Sequence, residues 1–178
     1  EEFMEHGGLG HLPKLYDELL HIPLIIHGGT FQKARNDFLV DQLDIAPTIL
    51  HLLGVKPPKQ WLGRNLLQVV EDKAVISEIA NDEFTPEIKL DLRQTSYRTR
   101  EWKLILTPKT LELYNLRSDP KERRNIANEK KDVTRNLLSK ILKHIAMEER
   151  TMKFSRNRRR KIIKYRIEKL KIKLNLKI

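Results

Sequence analysis

LYDELLHIPLII, residues 15–26, runs from a helical spacing of apolar residues into a short apolar block, Ile22 to Ile26, closed by His27-Gly28-Gly29. An apolar run of about four to eight residues, rich in Ile and bounded by turn residues, reads as a strand buried on both faces, as in a parallel sheet. Pro23 falls at the first position of that strand, where a missing N–H is tolerated. Downstream, DQLDIAPTILHLLG at 41–54 spaces Leu43, Ile45, Ile49, Leu50, Leu52 and Leu53 for a helix. Asp44 fits as its N-cap, Pro47 sits in the first turn and Gly54 is the stop. A buried strand followed by a helix predicts α/β architecture for this half of the chain.

The second half has a different rhythm. After a Pro-rich connector, VKPPKQWLG, the segments AVISEI (74–79), SYRTREWKLIL (96–106) and TLELYNL (110–116) read as three strands. Thr107-Pro108-Lys109 suits a hairpin turn between the last two, and Ser118-Asp119-Pro120 turns the chain again. Val133, Leu137, Leu138, Ile141, Leu142 and Ile145 then form one stripe of a helix over 133–147. Runs of strands followed by a helix predict a small α+β subdomain with an antiparallel sheet and a packing helix. By pattern the chain divides into a strand and helix within 1–72, a small sheet and helix within 73–150, and a tail at 151–178. No internal repeat is present.

The 178 residues hold 35 basic and 24 acidic side chains, a formal net charge of +11. The imbalance lies entirely in the tail, where 12 Lys and Arg face the single Glu168, while residues 1–150 balance at 23 against 23. Ile163, Ile167, Leu170, Leu174 and Ile178 make a helical apolar stripe, yet Leu170 to Ile178 also alternates with period two, so helix and strand both stand. As a helix, the tail has the pattern of a segment lying on an anionic membrane or another polyanion. A solvated or body-packed extension is the plainer reading, and specific nucleic-acid recognition is not expected. The absence of Cys excludes disulfides, thiolate metal sites and a cysteine nucleophile. No apolar run approaches the roughly 18 residues of a membrane span. The chain enters a dense motif at Glu1 and is read as starting inside a longer protein; compartment stays open, with a cytoplasmic or membrane-associated location favoured.

Six stretches occur together: EEFMEHGGLGH (1–11), LYDELLHIPLII, LDIAPTILHLLGV (43–55), WLGRNLL (61–67), YRTREWKLIL (97–106) and LELYNLRSDPKERRNIAN (111–128). In this order and spacing they resemble the C-terminal part of the sulfatases, the arylsulfatase-like branch of the alkaline phosphatase superfamily, over residues 1 to about 148. The resemblance implies that residues 1–72 end an alkaline-phosphatase-like α/β core. It also implies hydrolysis of a sulfate ester with one divalent cation, Ca²⁺ or Mg²⁺, and a formylglycine nucleophile made from a Cys or Ser in a C/S-x-P-x-R segment. That segment is absent from this sequence. The late metal motif of the family, D-H-G-E, would end at Glu1, so no metal ligand is expected in the chain and the ligand pair is expected just upstream. The remaining N-terminal part of the protein and a sulfate ester substrate are the implied partners, and the chain alone is expected to be inactive. Phosphodiester, phosphonate and phosphoethanolamine-transferring relatives share the superfamily and supply the alternative chemistry. A noncatalytic remnant that binds anionic surfaces through its tail is the other alternative.

By the same resemblance, the loop before LYDE supplies a Lys or His that contacts the sulfate and protonates the leaving oxygen. His11 and Lys14 fall in this window, and each type suits the task, the imidazole as a proton donor near neutral pH and the ammonium as a fixed charge. His6 lies nearer the expected metal and stands with Lys14 as a candidate substrate-binding residue, with a loop-fixing hydrogen bond as its plainer role. Gly7, Gly8 and Gly10 read as turn residues. His21, His27 and His51 have no ligand spacing and read as structural. Trp102 and Lys103 lie on a strand where the resemblance places a substrate-facing surface in some members, although Trp102 itself reads as core. Asp119, Pro120 and Glu122 read as a turn with no chemistry.

Overall fold

The computed structural model describes residues 1–28, 31–79 and 93–151. Among the described residues the α-helices and strands are β1 Glu2–Phe3, β2 Leu9–Gly10, α1 Asp17–Leu20, α2 Ile45–Leu52, β3 Val75–Ile79, β4 Gln94–Arg98, β5 Trp102–Leu106, β6 Leu111–Asn115 and α3 Lys131–Thr151, with 3-10 turns at Gln42–Asp44 and Leu66–Gln68. The chain forms two units, one made of Glu1–Ile22 with the described residues from Ile76 onward, the other of Pro23–Val75. The first 22 residues thus belong with the C-terminal sheet, and not with Pro23–Val75.

In the first unit a four-stranded sheet runs in the order β3-β4-β5-β6, with β4, β5 and β6 successively antiparallel. The register pairs Leu104 with Leu113, Lys103 with Tyr114 and Ile105 with Glu112. Because side chains alternate across a strand, Leu104, Leu111 and Leu113 share one face while Lys103, Ile105, Glu112 and Tyr114 share the other. The first face packs against α3, where Leu137, Leu138, Ile141 and Ile145 form the expected stripe and are all buried. The second face gathers Leu15, Ile105, Tyr114 and Leu116, with Tyr16 and Leu20 packed against them. Two apolar layers therefore clamp the sheet, one helical and one built by the N-terminal segment.

The expected antiparallel sheet and packing helix are present, and three details differ from expectation. SYRTREWKLIL is two strands: the chain reverses at Thr99–Trp102, where Thr99 N–H donates to the Trp102 carbonyl (2.8 Å) and Trp102 N–H to Thr99 Oγ1 (2.9 Å). The threonine hydroxyl supplies this turn without the Gly, Asn or Pro that usually signals one. Ile22 to Ile26 is irregular and exposed, Ile25 at 87%. A strand needs a neighbour to take its backbone hydrogen bonds, and among the described residues this block has none.

The third difference is the cap of α2. In the second unit a 3-10 turn at Gln42–Asp44 precedes the helix, capped by Asp41 with Asp44 closing the box. Asp44 makes no side-chain cap to α2. Its buried carboxylate accepts from the backbone N–H of Arg64 (2.6 Å) and Asp41 (3.2 Å) and from Lys73 Nζ (2.6 Å). Asp44 therefore ties the WLGRNLL segment to the helix start. Burial disfavours its charge, but these donors outweigh that and hold its carboxyl below the usual range. Gly54, at φ +70°, ends the helix as expected.

Candidate functional site

The loop of residues 1–14 folds around one carboxylate. Glu2, fully buried on β1, accepts at Oε1 from the backbone N–H of Gly8 (2.8 Å) and His6 (3.0 Å), and Lys14 Nζ lies 2.9 Å from both of its oxygens. Lys14 also donates to the His6 carbonyl (2.8 Å). Burial opposes ionisation of Glu2, yet the ammonium and the two backbone donors keep its carboxyl below the usual range. Gly8 passes so close that a Cβ there would lie 2.6 Å from Glu2 Oε2, 2.7 Å from Lys14 Nζ and 2.2 Å from Leu12 Cδ1.

His6 faces oxygen on both sides. Nδ1 lies 2.5 Å from Glu18 Oε1 and Nε2 lies 2.9 Å from the Glu122 carbonyl oxygen. Both partners are acceptors, so only the doubly protonated imidazolium satisfies both. Burial alone would lower its pKa; the Glu122 carbonyl and the Glu18 carboxylate reverse this, and the net direction is upward from the ordinary histidine value. The ring stacks on Tyr16 with centroids 3.7 Å apart and planes within 5° of parallel, which favours the cationic form further. Tyr16 and Tyr114 both donate to Glu112 Oε2 at 2.8 Å, and burial with this carboxylate raises both phenol pKa values.

Beneath the loop lies a second charged cluster. Lys103 Nζ, fully buried on β5, sits 2.7 Å from Asp17 Oδ1 and 2.7 Å from Glu122 Oε1. Arg98 reaches Asp17 Oδ2 at 3.1 Å, and Asp17 N–H donates to Glu122 Oε2 at 2.7 Å. Burial pushes both carboxyls up; for Asp17 the cations Lys103 and Arg98 win and the net shift is down, while for Glu122 burial prevails and the net shift is up.

Of the three loop residues singled out from the sequence, His6 and Lys14 converge on Glu2 and its neighbours. His11 stands apart, exposed between β2 and α1, and among the described residues it makes no hydrogen bond. Ligand atoms of Glu2, His6 and Glu18 lie within 4.8 Å of one another. A hard divalent cation takes about six to eight oxygen ligands, and here the lysine ammonium already occupies the Glu2 carboxylate while both imidazole nitrogens are engaged. The trio does not fit a metal.

A family model described as "N-sulphoglucosamine sulphohydrolase, C-terminal" matches residues 6–149. The chain belongs to that sulfatase family. An uncharacterised Escherichia coli K12 sulfatase, YidJ, is 31% identical over 65% of this chain and 24% of its own length. Mouse arylsulfatase K is 27% identical over 79% of the chain and 28% of its own length. The chain thus spans about a quarter of the length of these curated relatives. Among solved structures, a Bacteroides thetaiotaomicron protein assigned to the sulfatases shares the fold with a TM-score of 0.66 and 24% identity, covering 83% of this chain and 35% of that one. A 2-O GAG sulfatase aligns with a TM-score of 0.51 and 25% identity over 68% of this chain and 29% of its own.

Within this sulfatase segment, Glu2, Asp17, Lys103 and Glu122 were not legible as a group. Lys103, expected on a substrate-facing surface, is instead fully buried, because its place in the alternation of β5 turns it toward α1. A signal existed in the sequence: once the turn at 99–102 is recognised, Lys103 and Ile105 alternate with Leu104, which puts a lysine on an otherwise apolar sheet face. A lysine there demands a buried carboxylate partner.

Proposed function

We propose that the chain is the C-terminal part of a sulfatase that hydrolyses sulfate esters, and that His11 is the residue of this part that meets the reacting group. The match to the sulfatase family over residues 6–149, joined to an imidazole left exposed on a loop otherwise locked by buried charges, supports this reading. His11 donates a proton to the leaving alcohol oxygen as the S–O bond breaks. Lys14 and His6 act less directly, by holding the curvature of the loop through Glu2 and Glu122. The nucleophile, a formylglycine, and the ligands of a Ca²⁺ or Mg²⁺ ion belong to the polypeptide upstream of Glu1, which makes that polypeptide the first partner of this chain. The cation supplies charge compensation at the sulfate oxygens. The substrate class is a sulfate monoester.

The test is turnover by the protein extended upstream, on aryl and alkyl sulfates. General acid catalysis contributes about 100 to 10,000-fold, so His11→Ala should lower kcat by a factor in that range with an alkyl sulfate and by less with nitrophenyl sulfate, with KM little changed. Residues 1–178 alone should show no turnover. Equal losses for both leaving groups would remove the acid role from His11, and faster turnover of a phosphonate or phosphate monoester than of any sulfate would overturn the sulfatase reading.

A further inference from the structure

Lys103 is 0% exposed on the sheet face opposite α3, and it joins two segments that are remote in sequence. One is Asp17, three residues beyond Lys14 at the end of the candidate loop. The other is Glu122, in the turn after β6, whose carbonyl accepts from His6 inside that loop. Glu122 also takes the Asp17 N–H, so this one residue holds both the interior of the loop and the segment just beyond it. Its backbone pays for the arrangement: Glu122 adopts φ +53°, a left-handed conformation that non-glycine residues hold only where the surroundings over-determine it. Arg98 completes a closed set of two cations and two carboxyl groups.

Networks of this kind are poor sources of stability, since the desolvation of buried ions offsets their attraction and apolar replacements are often neutral. What such a network supplies is direction. An apolar contact between the loop and the sheet would tolerate sliding, whereas two hydrogen bonds of 2.7 Å, from Lys103 to Asp17 and from the Asp17 N–H to Glu122, together with the 2.7 Å ion pair of Lys103 and Glu122, restrict the placement. We propose that Lys103 is a positioning residue, which sets the placement of the 1–14 loop on the sheet through Asp17 and through Glu122 to His6. The use of that placement for sulfate ester chemistry rests on the reading of His11 above; the placement itself is measurable without catalysis.

The experiment is amide hydrogen exchange on the 178-residue chain and on its triple variant Lys103→Met, Asp17→Asn, Glu122→Gln, which removes the fully buried lysine together with both of its carboxyl partners and leaves only the part-exposed Arg98 charged, facing an amide. The reporters are the His6 and Gly8 amides, which donate to Glu2 and lie outside the altered cluster. The amide of Leu104, on the strand β5 that is paired on both sides, is the sheet control. Protection of the loop amides should fall at least tenfold while the sheet amide changes by less than about threefold, because sheet exchange follows global stability and loop exchange follows local opening. Loop protection that is unchanged, or that falls only in step with the sheet, overturns the proposal. If the triple variant does not fold, Glu122→Gln alone gives the same comparison, since its amide oxygen still accepts from Asp17 N–H while the charge that binds Lys103 is gone. In the protein extended upstream, loss of kcat in His11→Ala without any loss in the Lys103 variants would dismiss the use of this placement in the chemistry and leave the role of His11 standing.

Discussion

Replacing Leu113 and Ile25 by alanine, one at a time, separates the clamped sheet from the exposed block that the sequence made look like a buried strand. Leu113 is 0% exposed and sits on β6 beneath α3, in contact with the cluster of Leu104, Leu137 and Ile141. The substitution deletes three carbons at about 0.8 kcal/mol each and leaves a cavity that adds to the transfer loss. A total of about 3 to 4 kcal/mol is expected, inside the roughly 2 to 5 kcal/mol range of buried Leu→Ala changes. For a unit of this size each kcal/mol moves Tm by about 4 to 8 °C, so the transition should fall by about 12 °C or more. Ile25, 87% exposed, should shift stability by less than about 0.5 kcal/mol. Urea unfolding of the 178-residue chain followed by far-UV circular dichroism measures both. A cost below about 1 kcal/mol for Leu113→Ala would refute the packing of α3 on the sheet. A cost above about 2 kcal/mol for Ile25→Ala would show that the apolar block is buried in solution.

His6 gives a pH dependence with a definite sign. Its pKa in the folded chain is raised, so its contribution to loop stability is fully present below the unfolded value near 6.5 and is lost as pH rises through the higher folded value. The His6 ring protons should titrate above pH 6.5 by NMR, with loop amide protection declining over the same interval, and His6→Gln should abolish that decline; a midpoint below 6.5 would contradict the paired imidazolium. The basic tail lies outside the described residues, and its binding is a separate expectation. Truncation after Arg150 should remove most co-sedimentation with anionic liposomes, since the tail holds the entire +11 and each basic residue near such a surface is worth about 1 kcal/mol. A truncated chain that pellets as well as the intact one would discard the membrane reading.

Periodicity made the C-terminal half legible. The stripe of Val133 to Ile145 and the alternation of Leu111 and Leu113 are local patterns, and local patterns suffice where a helix lies on a sheet. Ile22 to Ile26 misled for a physical reason: its composition records what it can bury, while a strand forms only against a neighbouring backbone. Asp44 misled differently, for a carboxylate that caps a helix and one that gathers Arg64 and Lys73 from further along the chain look identical in a single sequence. In the loop, Lys14 was visible as a residue type suited to an anion and His6 as a loop-fixing hydrogen bond, but the partners that hold them, Glu2, Glu18 and Glu122, come from three separate stretches. Only His11 retains the freedom that the sequence suggested for it.

The close approach at Gly8 has a consequence for how this loop can vary. In a saturation library of residues 1–14 selected for folding alone, position 8 should be enriched in glycine, because any other side chain would begin with an atom that displaces the ends of Glu2, Lys14 and Leu12. Position 11 should return nearly any residue. Selection for activity would reverse the information held by position 11 while leaving position 8 unchanged, so the difference between the two profiles would mark where the chemistry touches the loop, independent of any choice of substrate analogue.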